Sequence, residues 1–196
     1  MALFNYRELE SIQVPITESY DYNIGLERDR VTLDSINSYE SFDIFLSHSY
    51  NDKKIIPALK SKLEDMGYSV YVDWITDRLL SRDEVNKRTA EVLQARMKQS
   101  KCLLYATSEN SQNSRWMPWE LGYFDGIKDK MVGILPLRKY DNNFQDDFKG
   151  EEYLGLYYYI DKQFDTTNRL RLWVREYEKK YIVFEDWLKG EKPYVR

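Results

Sequence analysis

Side chains that could take part in chemistry follow three of the strands that the sequence predicts, at the points where those strands end. Two of these side chains carry indole rings, which can stack against a nucleobase or a pyridine ring. One carries a carboxylate that a helix could point back into the same pocket. The set favours a site that binds a flat ring next to one acid. Its members are Ser47, His48, Asp73, Trp74, Trp116 and Glu120.

The order of apolar segments along the chain explains how these side chains come together. Short apolar runs alternate with stretches whose apolar residues recur at helical spacing, which predicts an α/β fold with a parallel sheet and helices on both faces. In such a sheet, ligands bind at the carboxyl ends of the strands, where the six residues would lie. Strands are predicted at residues 42–46, 68–72, 101–106, 131–135 and 153–160.

Cap and loop residues predict where the first two helices lie. Asp52 is the expected N-cap of the first helix. Residues 75–80 are predicted to form a loop, in which Asp77 and Arg78 are expected to make a surface ion pair. Residues 81–84 fit a capping box, with serine at the N-cap and glutamate at N3, which starts the second helix.

A polar segment at residues 107–114, dense in serine and asparagine, is predicted to be the loop before the third helix. That helix is expected to open at Trp116, with Pro118 near its first position. Glu120 then lies about one turn into the helix. Pro136 is expected to end the fourth strand because proline cannot donate to a ladder.

Both ends of the chain extend beyond this alternating pattern. Residues 1–38 are predicted to form an N-terminal extension, either a linker or an arm packed on the domain, with alternating apolar residues at 12–16 that favour a short strand. Residues 39–165 are the expected core domain. Residues 166–196 carry apolar residues at steps of three or four, which predicts a C-terminal helix that packs on the domain or extends it.

Composition argues against several classes of function. The 196-residue chain has a net charge of −4 with both signs interspersed, so a nucleic-acid surface is not expected. No apolar run is long enough to span a bilayer, and the first residues lack the pattern of a signal peptide. The single cysteine, Cys102, allows no internal disulfide, and one histidine argues against a zinc site. The cytoplasm is the expected location, with no membrane contact and no metal.

The motifs of several common enzyme classes are also missing. The glycines never form the G-x-G of a dinucleotide fingerprint, and no G-K-S/T phosphate loop is present. His48 is the only histidine, and no G-x-S-x-G elbow accompanies it for a Ser-His-Asp triad. By its position alone, Glu120 is better explained as an acid that complements the dipole at the start of its helix.

Three segments, in order, resemble motifs of bacterial TIR (Toll/interleukin-1 receptor) domains. Residues 42–49 with Asp52 look like the opening strand and loop of that family. Residues 67–73 look like its second strand entering the so-called BB loop. Residues 108–122 are similar to the segment that carries the catalytic glutamate of NAD-cleaving members.

The third segment is the most informative of the three. In NAD-cleaving members a tryptophan precedes the catalytic glutamate by four positions, as Trp116 precedes Glu120 here. The resemblance covers roughly residues 40–165. The loop after Asp73 departs from the family because it lacks the common Pro-Gly pair.

The resemblance implies a flavodoxin-like, five-stranded parallel sheet in the order 2-1-3-4-5, and cleavage of the nicotinamide–ribose bond of NAD+. Glu120 would be the catalytic residue. Nicotinamide starts as a pyridinium and leaves neutral, so it needs no general acid, unlike the leaving group of an ordinary glycosidase. No cofactor is implied besides NAD+ as the substrate. The residues assigned to substrate binding are Trp116, Ser47, His48, Asp73 and Trp74.

Proteins that look like this chain often serve anti-phage defence, in systems such as Thoeris. The resemblance therefore implies self-association through TIR–TIR contacts and a separately encoded effector that senses the product. The product stays open among ADP-ribose, a cyclised form and a base-exchanged form. Two alternative functions also stay open: a non-enzymatic adaptor acting through TIR–TIR assembly, and an enzyme like the nucleoside deoxyribosyltransferases.

Overall fold

The computed structural model describes residues 3–12, 36–77, 87–138 and 152–196 of the chain. Within these ranges no helix is both long enough and apolar enough to cross a membrane. The strands are β1 (Phe4–Asn5), β2 (Phe42–Ser47), β3 (Val70–Tyr71), β4 (Ser100–Thr107), β5 (Val132–Arg138), β6 (Tyr158–Phe164), β7 (Leu170–Tyr177), β8 (Lys180–Val183) and β9 (Tyr194–Val195). The helices are α1 (Tyr6–Glu10), α2 (Ile56–Asp65), α3 (Asp73–Thr76), α4 (Lys87–Gln99), α5 (Trp116–Lys128) and α6 (Phe184–Trp187).

A parallel sheet forms the centre of the fold, with its strands in the order β3-β2-β4-β5-β6. Numbered along the chain from β2, this is the order 2-1-3-4-5, so the expected fold is confirmed. Ile44 of β2 lies in register with both Val70 and Cys102 on its two neighbours. Because these strands are parallel, the carboxyl ends of β2, β3 and β4 meet at one edge of the sheet.

Alternate residues of the central strands face two separate apolar layers. Ile44 and Leu46 point into a layer formed with α2 and α6, whereas Phe45 points into a layer formed with α4 and α5. A parallel sheet that is covered by helices on both faces requires apolar residues on both sides. Ser47 follows on the Phe45 side because successive side chains alternate along a strand, and this places it towards α5.

Helix α2 begins later than expected, and its end is marked by a glycine. Asp52 is not its N-cap: Ile55 holds that position without a side-chain cap, and Asp52 lies in a 3-10 turn over Tyr50–Asp52. The carboxylate of Asp52 is engaged elsewhere, as described below. Gly67 follows the helix at a φ of +97°, and its N–H donates to the carbonyl of Glu64. This helix ending needs a residue that tolerates positive φ.

The prediction of a loop at residues 75–80 is wrong for its first two residues, because Asp73–Thr76 forms the one-turn helix α3. The N–H of Thr76 donates to the carbonyl of Val72, which closes this turn. The remainder of the predicted loop beyond Asp77, including Arg78, and the capping box at residues 81–84 lie outside the described residues.

The fourth and fifth parallel strands differ from the sequence expectation. Pro136 does not end β5, which runs on to Arg138. Pro136 is the last residue of β5 in register with β4, and a missing N–H costs least at the end of a ladder. β6 begins at Tyr158 rather than at residue 153. The preceding segment, Glu152–Leu156, forms a 3-10 turn.

The predicted C-terminal helix over residues 166–196 is wrong. This part of the chain forms β7, β8, the one-turn helix α6 and β9, and its strands extend the sheet antiparallel from β6. Leu172 and Val174, two positions apart, are buried in the same layer as α6. The apolar residues fit a period of two as well as helical steps, and the β-branched and aromatic side chains here favour strands.

The N-terminal extension packs on the domain as an arm over its described residues 3–12. β1 pairs in parallel with the end of β5, where Phe4 lies in register with Leu137. Phe4 and Leu9 are buried in the same layer as α2. The strand predicted at residues 12–16 falls mostly outside the described part of the chain.

Gly133→Ala and Gly126→Ala are expected to change stability in opposite directions. A Cβ at Gly133 on β5 would lie 2.8 Å from Ile160 Cγ1 and 3.1 Å from Leu104 Cδ2, so overpacking should cost about 1–3 kcal/mol. A Cβ at Gly126 on α5 would meet nothing within 4 Å, and alanine should stabilise this helix by up to about 1 kcal/mol. Urea unfolding followed by circular dichroism measures both, and equal midpoints would contradict the tight approach at Gly133.

Candidate active site

Glu120 and Ser47 form a buried pair where α5 meets the end of β2. The hydroxyl of Ser47, the last residue of β2, donates to Glu120 Oε2 over 2.6 Å. Both side chains are buried, Glu120 completely. Helix α5 opens at Trp116 as predicted, and Pro118 is its third residue rather than its first. That position is still in the first turn, where a backbone N–H has no acceptor within the helix. Proline therefore loses no helical hydrogen bond there.

His48 is held by both of its ring nitrogens. Its Nδ1 lies 3.0 Å from the carbonyl oxygen of Leu46, and the indole N–H of Trp74 donates to its Nε2 over 2.8 Å. Because indole only donates and a carbonyl only accepts, the ring must be neutral with its proton on Nδ1. The Oδ1 atom of Asp73 lies 3.8 Å from Nε2. The buried His48 is thus bound to α3, which carries both Asp73 and Trp74.

The two tryptophans lie against opposite layers of the sheet. Trp74 is partly buried on the layer that contains α2, whereas Trp116 is buried in the layer that contains α4 and α5. Trp116 also meets Trp119 edge-to-face, with their ring centroids 5.5 Å apart. Both indoles are predicted at this edge of the sheet, and they approach it from two sides.

The carboxylate of Asp52 is the centre of a hydrogen-bonded cluster that the sequence does not predict. The Tyr6 hydroxyl and Asn110 Nδ2 each donate to Oδ1 of Asp52 over 2.6 Å, and the Ser108 hydroxyl donates to Oδ2 over 2.5 Å. Asp52 is buried. Part of this cluster could have been predicted, because Asp52 and Ser108 both follow the ends of neighbouring parallel strands. Tyr6 carries no such signal.

Asp77 does not form the expected surface pair, because it is buried and binds Arg96 of α4. Arg96 Nε and Nη2 donate to the two oxygens of Asp77 over 2.9 and 2.7 Å, and the Tyr71 hydroxyl donates to it over 2.8 Å. Burial, with the charges of nearby aspartates, raises the pKa of Tyr71. Arg96 also reaches Glu40 over 2.5 Å. This network ties α3 to α4 next to the candidate site.

The geometry suits stabilisation of a cation. The carboxylate of Glu120 is out of water, and a charge in such surroundings acts more strongly on a neighbouring charge than it would in solvent. Ser47 fixes one of its oxygens. Donors and acceptors that are fixed in place before a reaction cost no reorganisation when charge develops. The pair can therefore stabilise a substrate carbon that becomes positive next to it.

Comparison with known proteins gives three findings. The family model described as "TIR domain" matches residues 44–172. The chain is 42% identical over 193 residues to "Probable 3′ cyclic ADP-D-ribose synthase ThsB′" of Bacillus cereus (strain MSX-D12), covering 96% of this chain and 98% of that protein. It is 29% identical over 123 residues to "Putative cyclic ADP-D-ribose synthase TIR2" of Cytobacillus dafuensis, covering 62% of this chain and 30% of that protein.

Among solved structures, the chain resembles the TIR domain of the Toll-related receptor TRR-2 from Hydra magnipapillata. The TM-score is 0.38 and the sequences are 16% identical, with 55% of this chain and 77% of that chain covered.

Proposed function

Because the chain belongs to the TIR domain family, we propose that it cleaves the nicotinamide–ribose bond of NAD+ and closes the remainder into a cyclic ADP-ribose. The observation that carries this proposal is the buried Ser47–Glu120 pair at the carboxyl edge of the sheet. The preference for a cyclic product is supported by the name of the Bacillus cereus relative, which matches this chain over nearly its whole length.

In this reaction the bond between ribose C1 and the nicotinamide nitrogen breaks, and its electron pair goes to the ring. The pyridinium becomes neutral nicotinamide, while positive charge develops on the ribose as an oxocarbenium ion. The Glu120 carboxylate stabilises that charge, and Ser47 holds the carboxylate in place. A hydroxyl on the adenosine half of the same molecule then bonds to C1 and loses its proton. The products are nicotinamide, cyclic ADP-ribose and one proton.

The other candidate residues are assigned to substrate binding. Trp116 lies one helical turn before Glu120, and its indole would pack against a bound ring. His48, Asp73 and Trp74 form a connected group on the other side of Ser47. The ring of His48 is held at both nitrogens, so we assign it an indirect role in binding, in which it fixes Trp74.

We also place the chain in a defence pathway of the kind implied by the resemblance. The cyclic nucleotide would be the signal, and a separately encoded effector would bind it. Self-association through TIR–TIR contacts would accompany activity, and the cytoplasm would supply the NAD+.

Product analysis of the purified protein tests the proposal. We expect incubation with NAD+ to release nicotinamide and an equal amount of a product that is one water lighter than ADP-ribose by mass spectrometry. The reaction should be run over a range of protein concentrations and with a crowding agent, which favours assembly. A product with the mass of ADP-ribose would exclude cyclisation. If NAD+ stayed intact while a panel of free nucleosides was cleaved, the deoxyribosyltransferase alternative would replace this proposal.

A further inference from the structure

We propose that Tyr6 and Asp52 are positioning residues for Glu120, so that the N-terminal arm sets the geometry of the active site. The inference rests on the proposed function but concerns a contact outside the catalytic pair. Tyr6 lies on the N-terminal arm, outside residues 44–172, which the family model matches. Its hydroxyl reaches across 46 positions of sequence to the Asp52 carboxylate.

A chain of hydrogen bonds leads from Asp52 to the first turn of α5. The Ser108 hydroxyl donates to Asp52, and the Ser111 hydroxyl donates to the Ser108 carbonyl over 2.7 Å. The N–H of Ser114 donates to the Ser111 carbonyl over 3.0 Å, and the N–H of Met117 lies 3.3 Å from Ser114 Oγ. Met117 is the second residue of α5. The position of Asp52 is therefore linked to the helix that carries the catalytic carboxylate.

The arm holds Tyr6 in place on both sides. β1 pairs with β5 just before it, and Glu8, just after it, pairs with Lys62 over 3.2 Å and with Lys162. Burial, with the hydrogen bond to Asp52 and the charge of that carboxylate, raises the pKa of the Tyr6 hydroxyl well above its ordinary value. Tyr6 therefore keeps its proton and remains a donor throughout the pH range of an assay.

The position of α5 affects the fate of the ribose cation. Cyclisation requires the nucleophile of the same NAD+ molecule to reach C1 before water does, which depends on a well-ordered site that excludes water. A looser loop should slow cleavage and let hydrolysis compete with cyclisation. The ratio of the two products does not depend on how much of the protein is folded. It therefore separates positioning from a general loss of stability.

Tyr6→Phe, which removes only the hydroxyl, is expected to lower kcat about tenfold, the scale of one hydrogen bond to a charged group. KM should change by less than about twofold, and the share of ADP-ribose should rise. Tyr157→Phe is the matched control. The Tyr157 hydroxyl also donates to an aspartate on α5, Asp125 Oδ2 over 3.0 Å, but Asp125 lies in the second half of that helix, away from the first turn to which the Asp52 chain leads. Chromatography of NAD+ turnover by the full chain should show wild-type kcat, KM and product ratio for this control.

Hydrogen exchange measures the positioning directly, without reference to activity. In Tyr6→Phe the amides of residues 108–117 should exchange faster than in the wild type while those of β6 stay unchanged. The proposal would be overturned if Tyr6→Phe showed wild-type exchange in this segment together with a wild-type product ratio. It would also be overturned if the loss of activity in Tyr6→Phe were fully explained by a lower Tm. A wild-type protein that turns over no NAD+ would remove the proposed function, and the exchange comparison would still decide whether Tyr6 orders the loop.

Discussion

Glu120→Gln is expected to release nicotinamide from NAD+ at least about a thousandfold more slowly than the wild type, because it removes the charge that we propose stabilises the ribose cation. Glutamine keeps the shape of the side chain and an oxygen that can still accept from the Ser47 hydroxyl. The variant should therefore fold. Nicotinamide release under saturating NAD+, measured by chromatography, gives the loss in kcat.

Glu64→Gln is the control for this change, because it makes the same substitution at an exposed residue of α2 whose ion-pair partner among the described residues is Lys60 on the same helix. It should match the wild type in turnover and in Tm. A folded Glu120→Gln protein that kept more than about a tenth of wild-type turnover would show that another group carries the charge stabilisation. The assignment would then pass to the acidic residue next to His48, Asp73.

The sequence predicts the centre of this fold and the place of its candidate site for a simple physical reason. Strands such as residues 42–46 are short apolar runs followed by polar residues, and parallel strands bring their carboxyl ends to one edge. This places Ser47, Asp73 and the segment that leads to Glu120 together without any knowledge of their contacts. The hydrogen bond between Ser47 and Glu120 spans 73 positions, and only the packing of α5 on β2 reveals it.

The sequence fails to predict an element where its apolar residues fit both a helix and a strand. It also fails to predict a contact whose two residues lie far apart in the chain. The C-terminal apolar residues fit helix and strand periods equally, and only pairing with β6 decides between them. Asp77 is followed by Arg78 in the chain, which suggests a local ion pair, yet its partner Arg96 lies 19 positions away. Tyr6 gives no local sign that it will reach Asp52. Each of these contacts needs a tertiary fold before it exists.

Arg96→Met is expected to lower the free energy of unfolding by about 3–5 kcal/mol, since it leaves the buried Asp77 carboxylate without its counter-charge. The side chains of Arg96 and Asp77 are each only 6% exposed. The Tyr71 hydroxyl would remain as a donor to Asp77, but one neutral donor does not replace a guanidinium that makes two bonds. Urea unfolding followed by tryptophan fluorescence measures the loss.

Arg171→Met tests whether the loss of stability depends on the burial of the ion pair or on the number of carboxylates that the arginine binds. Arg171 also binds two carboxylates, Asp165 over 2.6 Å and Glu185 over 3.0 Å, but its side chain is 27% exposed. Its loss should cost no more than about 1 kcal/mol. Adding Asp77→Leu to Arg96→Met should recover much of the stability, because most of the cost comes from a lone buried charge. If the two arginine variants unfolded at the same urea concentration, the Asp77–Arg96 pair would not be what holds α3, with its Asp73 and Trp74, against α4.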